Sequence, residues 1–162
     1  LAVAQNNQHL HRNFQGYTTH GNCDLLGLGV SSISQIGTSI LQNQKELKHY
    51  YSAIENQAGC AVTKGMRLST DDVIRADVIK QLICHFELDM QHIAAKYQLA
   101  FDTYFEDSLQ ALKPLQEDGL VTIENHRITV TARGNLFIRI ICMCFDAHLQ
   151  QQISATRFSR VI

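Results

Sequence analysis

The sequence predicts a mainly α protein with a small β content, built in two parts of different composition. Three observations carry that expectation. The first 40 residues hold only two charged side chains yet five of the nine glycines. Apolar residues recur at helical spacing over much of the chain after Asn43. Two short alternating runs near the C-terminal end flank a turn dipeptide.

In residues 1–40 the charges are Arg12 and Asp24, and the glycines stand at 16, 21, 27, 29 and 37. So little charge among apolar pieces such as Leu25-Leu26-Gly27-Leu28-Gly29-Val30 suits short strands and tight turns whose backbones approach a neighbour closely. A helix comes next, with Leu47, Tyr50, Tyr51 and Ile54 at i, i+3, i+4 and i+7, and should end near Gly59. Cys60 to Leu68 reads as an extended connection with a turn near Gly65. The boundary is expected there, giving domains 1–60 and 61–162.

The second part begins with Ser69 or Thr70 capping a helix. Asp71 and Asp72 sit in its first turn, where the dipole favours negative charge, and its apolar face runs Ile74, Val78, Ile79, Leu82, Ile83, Phe86. Asp89 can cap a shorter helix, Met90 to Tyr97. A third helix after Leu99 carries Phe105, Leu109 and Leu112 until Pro114 kinks or interrupts it and Gly119 stops it. Leu120–Glu124 and Arg127–Thr131 then read as a hairpin with its turn at Asn125-His126. Thr131 caps a last helix to about Gln152. Three helices, a hairpin and a helix form a winged-helix-like arrangement.

Charge excludes the nucleic-acid partner that this arrangement suggests. The chain has 14 Lys+Arg against 15 Asp+Glu, a formal charge of -1. Between Phe101 and Gly119, Asp102, Glu106, Asp107, Glu117 and Asp118 face only Lys113, which would repel phosphates. The most apolar run, Leu136 to Phe145, contains one charge, Arg139, and falls short of the ~20 residues of a membrane span. It predicts a helix buried on several sides, between this module and its neighbour, and no membrane span. Five cysteines, an odd number at irregular positions, give no disulfide framework, and a reducing cytoplasmic location fits.

No catalytic or metal-binding residue emerges from spacing. Cys142 and Cys144 would lie about 200° apart around a helix, and Cys144 with His148 supplies two ligands where a closed zinc site needs four. His9 with His11, and His20 with Cys23, lack further ligands. Gly27-Leu28-Gly29 lacks the third glycine and the helix of a dinucleotide site, so it reads as a strand-end turn.

The string Leu10-His11-Arg12-Asn13-Phe14-Gln15-Gly16-Tyr17-Thr18-Thr19, followed by Asp24-Leu25-Leu26-Gly27-Leu28-Gly29-Val30-Ser31-Ser32-Ile33-Ser34, resembles the oxygen-independent coproporphyrinogen III oxidase (dehydrogenase) family of radical S-adenosylmethionine enzymes. Asn43-Gln44-Lys45-Glu46-Leu47, Asp77-Val78-Ile79-Lys80, Asp118-Gly119-Leu120-Val121, Ile141-Cys142-Met143-Cys144-Phe145-Asp146 and Phe158-Ser159-Arg160-Val161-Ile162 resemble that family's C-terminal third.

The resemblance implies oxidative decarboxylation of two propionates of a porphyrinogen substrate, coproporphyrinogen III, to vinyl groups, giving protoporphyrinogen IX in heme biosynthesis. It implies S-adenosyl-L-methionine and a 4Fe-4S cluster as cofactors. The family's C-x3-C-x2-C cluster motif is absent, since Cys23, Cys60, Cys84, Cys142 and Cys144 nowhere show that spacing. With a first residue Leu1 in place of Met, the chain reads as a cut within a longer protein, its cluster held by a preceding part and the fragment inactive alone. By resemblance, residues 1–60 are the C-terminal end of a radical-SAM (β/α) barrel and 61–162 a helical winged-helix-like lid. Phe14, Gln15 and Ile33 match positions beside a second S-adenosylmethionine, whereas the plainer assignment of Phe14 and Ile33 is barrel core. A barrel remnant should leave unpaired strand edges and self-associate. The alternative function is a non-catalytic winged-helix interaction or regulatory module.

Overall fold

The computed structural model describes residues 1–21, 23–56 and 59–149. The final motif 158–162 and the last helix beyond Leu149 lie outside the described residues. The chain divides into two compact units, Arg12–Val73 and Leu1–His11 together with the residues from Ile74 onward. This division falls after the connection at 60–68, because that connection is a strand of the smaller unit's sheet.

The chain opens with α1 (Ala2–Asn6), a short helix within a stretch expected to hold only strands and turns. Gln5 Nε2 donates to the Cys84 carbonyl at 2.9 Å, a side-chain tie that propensity does not encode.

In the smaller unit, β1 (His11–Asn13) and β2 (Gly16–Thr18) pair as a two-stranded sheet. The Asn13 side chain accepts from Gln15 N at 2.8 Å across the turn, and the Arg12 guanidinium lies 5.2 Å from the Tyr17 ring centroid. A second sheet orders β3 (Ile33–Ile36), β4 (Ser39–Asn43) and β5 (Val62–Arg67), antiparallel throughout. The expected barrel end would have parallel strands; here antiparallel pairs form a small open sheet, and no barrel is closed among the described residues. The Asp24 carboxylate accepts from Gly37 N at 2.8 Å and fixes the β3–β4 turn. Gly65 makes no turn. It faces Leu41 in mid-strand, where the Leu41 Cδ2 would lie 3.0 Å from a Cβ at that position.

Between β4 and β5 runs α2 (Leu47–Asn56). Its predicted stripe is not core: Leu47, Tyr51 and Ile54 are exposed and the buried residue is Ala53. Periodicity sets which residues share a face, not what covers it.

The larger unit is built on α3 (Thr70–His85), whose N-terminus is a reciprocal cap: Ser69 Oγ accepts from Asp72 N at 3.1 Å while Asp72 Oδ2 accepts from Ser69 N at 2.8 Å. After it come β6 (Glu87–Asp89), α4 (Met90–Tyr97), α5 (Phe101–Tyr104), α6 (Glu106–Glu117), β7 (Val121–Glu124) and β8 (Arg127–Val130). The sheet order is β6-β8-β7. Asp89 caps α4 by accepting from His92 N at 3.0 Å, as expected. The hairpin turn is also where the sequence puts it, with Asn125 and His126 at φ of 51° and 59°, a primed turn that matches strand twist. Three differences remain. The strand β6 is too short to show alternation. The expected third helix is two, because Phe105 leaves helical geometry at φ -108° and ψ 25° to drive its ring inward, and Pro114 sits inside α6 without ending it.

Thr131 caps the next segment, accepting from Gly134 N at 3.0 Å. The expected single helix is broken, however: a 3-10 turn (Gly134–Phe137) precedes α7 (Ile138–Met143), and Asp146 Oδ1 then caps a new turn through Leu149 N at 3.0 Å. Nor is it buried on several sides. Ile141, Cys142, Cys144 and Phe145 face the core, whereas Leu136, Phe137, Ile140 and Met143 are exposed. The core packs Val78 and Leu82 with Leu88, Ile93, Phe105, Leu112, Val121, Ile128, Ile141 and Phe145. Burying each such large side chain contributes about 1.5–3 kcal/mol against leaving it in water. No helix among the described residues is long and apolar enough to cross a membrane.

Candidate functional site

The residues expected beside a ligand all fall in the smaller unit. Phe14 and Gln15 form the tip of the β1–β2 hairpin, a turn held by the Asn13 side chain, and both are exposed, Phe14 at 50%. Ile33 opens β3 on the other sheet, opposite Gln42, and is half-buried. The structure therefore brings Phe14 and Gln15 together by adjacency and holds Ile33 on a separate element. An aromatic face, an amide able to donate and accept, and an aliphatic side chain suit packing and orienting a ligand, and supply neither a nucleophile nor a general base.

The segment before β3 is built by backbone contact. Leu25 pairs with Gln35 in an isolated bridge, and Gly27 N donates to Ser34 Oγ at 3.0 Å. A Cβ at Gly27 would stand 2.5 Å from the Ile33 carbonyl oxygen, so a side chain is excluded there. Leu26 and Leu28 on either side point outward, 68% and 84% exposed. Asn43 Nδ2 closes the far end, donating to the Gly29 carbonyl and to Ser32 Oγ, both at 3.0 Å. The glycine pair is thus a close-approach device at the start of the strand that carries Ile33.

The cysteines and histidines weighed as ligands do not assemble. Among the described residues no group of three His, Cys, Asp or Glu side chains is placed to hold a metal ion. Cys142 Sγ points to the Ile79 carbonyl at 3.9 Å and Cys144 Sγ to that of Ile140 at 3.6 Å; burial pushes the Cys144 thiol up, which makes it a poor nucleophile. Cys23 and Cys60 are exposed free thiols. One polar feature of the larger unit leaves no signal in the sequence. The polar sides of α3 and α4 line a cleft, whereas periodicity marks only the apolar faces of these helices.

Comparison with known proteins bears on the whole chain. Residues 68–137 match the family HemN C-terminal domain. Over all 162 residues the chain is 56% identical to an oxygen-independent coproporphyrinogen III oxidase of Salmonella typhimurium and 44% to that of Pseudomonas aeruginosa. It spans about a third, 35%, of the length of each. Among solved structures it resembles coproporphyrinogen III oxidase (HemN) from Escherichia coli, described as a radical SAM enzyme. The TM-score is 0.87 at 54% identity, covering 91% of this chain and 34% of that one. The chain, carrying a HemN C-terminal domain over residues 68–137 and matching the curated relatives over all of its own 162 residues, belongs to the oxygen-independent coproporphyrinogen III oxidase family, whose C-terminal part it matches.

Proposed function

We propose that this chain works as the C-terminal part of an oxygen-independent coproporphyrinogen III dehydrogenase, which decarboxylates two propionates of coproporphyrinogen III oxidatively to give protoporphyrinogen IX in cytoplasmic heme biosynthesis. The observation that carries the reading is 56% identity sustained over every residue of the chain. S-adenosyl-L-methionine and a 4Fe-4S cluster supply the radical chemistry when bound. The cluster requires the C-x3-C-x2-C cysteines of the rest of the polypeptide, which none of the five cysteines here provides.

In this reading Phe14, Gln15 and Ile33 bind and orient a second S-adenosylmethionine. The solvent-facing hairpin tip supports this, since a ring half in water gains by stacking on a ligand. Residues 1–60 are the last part of the catalytic region, contributing small antiparallel sheets rather than parallel barrel strands. The order α3, β6, α4, α5–α6, β7, β8 supports a winged-helix-like lid in the rest, with a hydrophobic interior. A second reading, a non-catalytic interaction module, draws on the exposed Leu136, Phe137 and Ile140.

The deciding experiment supplies coproporphyrinogen III, S-adenosylmethionine and a reductant anaerobically to the longer polypeptide that carries this chain, and separately to the 162-residue chain. Protoporphyrinogen IX is expected from the first alone. Reconstituted with iron and sulfide, the isolated chain should show neither four-iron absorbance nor S-adenosylmethionine cleavage. A stable cluster on it would overturn the division of labour, and an inactive longer polypeptide with an intact cluster would favour the interaction module.

A further inference from the structure

The three side chains read as facing a ligand, Phe14, Gln15 and Ile33, are uncharged, whereas both ligands of the proposed reaction bear carboxylates. Coproporphyrinogen III presents its propionates, and S-adenosylmethionine its amino-acid end. A carboxylate drawn out of water without a partner is strongly disfavoured, so a cation is needed beside the hairpin tip.

Arg12 stands there. It is the one Lys or Arg in residues 1–44 and lies on β1, two positions before Phe14. Three residues of chain span at most about 11 Å, so its backbone cannot be far from Gln15. The guanidinium is placed over the ring of Tyr17 on β2, 5.2 Å from its centroid, and the side chain is half-buried. It has no ion-pair partner among the described residues. Asp24, the one carboxylate in the same stretch, accepts instead from Gly37 N at 2.8 Å in the β3–β4 turn. A guanidinium resting on an aromatic ring is steadied by it, and its N–H fork stays available to a planar oxyanion.

We propose that Arg12 is the carboxylate-binding residue of this site. Its fork grips a propionate of the porphyrinogen or the amino-acid carboxylate of the second S-adenosylmethionine, while Tyr17 holds it in place. The inference rests on the functional reading above and adds the charge that Phe14, Gln15 and Ile33 lack. A bidentate pair with a carboxylate suits arginine; an ammonium at the same position is a point charge without the fork.

The test uses the longer polypeptide with its cluster reconstituted, and measures equilibrium binding of two probes. These are coproporphyrin III, the fluorescent oxidised form of the substrate, and S-adenosylmethionine. Arg12→Gln should weaken one of them on the order of tenfold to a hundredfold at an unchanged melting temperature, and Arg12→Lys should recover little of the loss. The methyl ester of coproporphyrin III, which has no carboxylate, should bind wild type and Arg12→Gln alike. Weaker coproporphyrin III binding alone places a propionate on Arg12, and weaker S-adenosylmethionine binding alone places the amino-acid carboxylate there. Unchanged affinity for both probes in Arg12→Gln, with the wild type binding both and forming protoporphyrinogen IX, would overturn this inference and leave the functional reading standing. Full recovery in Arg12→Lys, or an equal loss with the methyl ester, would overturn it as well. A wild-type polypeptide that neither binds the probes nor forms product would sink the functional reading itself.

Discussion

At the scale of single residues, His85 and Gly134 show how the fold constrains chemistry. Burial pushes the His85 pKa below its ordinary 6.5, the His11 imidazole pushes the same way, and the Gln5 carbonyl pulls it back in part. Its Nδ1 is sealed from solvent without a hydrogen-bond partner. A histidine held neutral in the folded state takes up its proton only when unfolded, so its contribution to stability is present above pH 6.5 and lost as pH falls through that value. We expect His85→Gln to shrink the drop in melting temperature between pH 7.5 and 5.5; an equal drop in both proteins would show that His85 does not titrate this way. Gly134 sits where a Cβ would overlap the Leu120 carbonyl oxygen and meet Val130 Cγ1 at 3.0 Å. Gly134→Ala should therefore cost about 1–3 kcal/mol in chemical denaturation, as overpacking does. A cost below 0.5 kcal/mol, the scatter of ordinary surface substitutions, would refute the clash.

Among elements, α3 and α4 are joined by a polar clamp as well as by core. Burial alone would raise the Asp77 carboxyl, but hydrogen bonds from Lys96 and Tyr97 outweigh it and bring it below its ordinary value. Lys96 and Tyr97 are raised in turn, Lys96 chiefly by its bond to Asp77 and Tyr97 chiefly by burial. Removing the acceptor leaves the part-buried Tyr97 hydroxyl without its partner while the half-exposed Lys96 turns to water, so Asp77→Ala and Tyr97→Phe should each cost about 0.5–1.5 kcal/mol. Urea melts of the two variants and their double mutant check this; additive losses would mean the three groups do not act together. Such long-range partners leave no trace in a linear sequence. Local devices do: the Asp89 cap, the Thr131 cap and the Asn125-His126 turn each depend on residues within three positions, and each stands where the sequence indicates. The break at Phe105 was hidden because its cause is tertiary. Its ring lies 4.7 Å from Phe101 and 5.6 Å from Phe145 by centroid, and no helical periodicity records a contact 40 residues away. Of the candidate site, short strands and tight turns within residues 1–40 were legible from low charge and glycine content, but not the place of the hairpin tip at Phe14 and Gln15. Its pairing with a ligand came from resemblance alone.

On the scale of the whole molecule, the exposed apolar side chains are the feature that an isolated chain must accommodate. Leu1, Val3, Leu26, Leu28 and Leu136 are each at least two-thirds exposed, and all six residues of β5 are exposed along a sheet edge. An unpaired edge with apolar neighbours is a template for pairing with another copy. The 162-residue chain should therefore self-associate as its concentration rises, with a sedimentation coefficient that climbs across the micromolar range. If β5 is the contact, Arg67→Pro, which removes a main-chain donor from the open edge where the neighbouring donors of Met66 and Leu68 face β4, should reduce association more than Leu136→Lys does; the opposite order would place the contact on the face beside α7. Functional residues need the longer polypeptide for their test. There Gln15→Ala should preserve the cluster and the melting temperature, because an exposed amide adds little to a core. It should still lower protoporphyrinogen IX formation on the order of 100-fold if the amide aligns a reacting ligand. Ile33→Ala separates the two accounts of its neighbourhood: lost turnover at an unchanged melting temperature marks a ligand contact, whereas loss of both marks a half-buried strand residue that only packs.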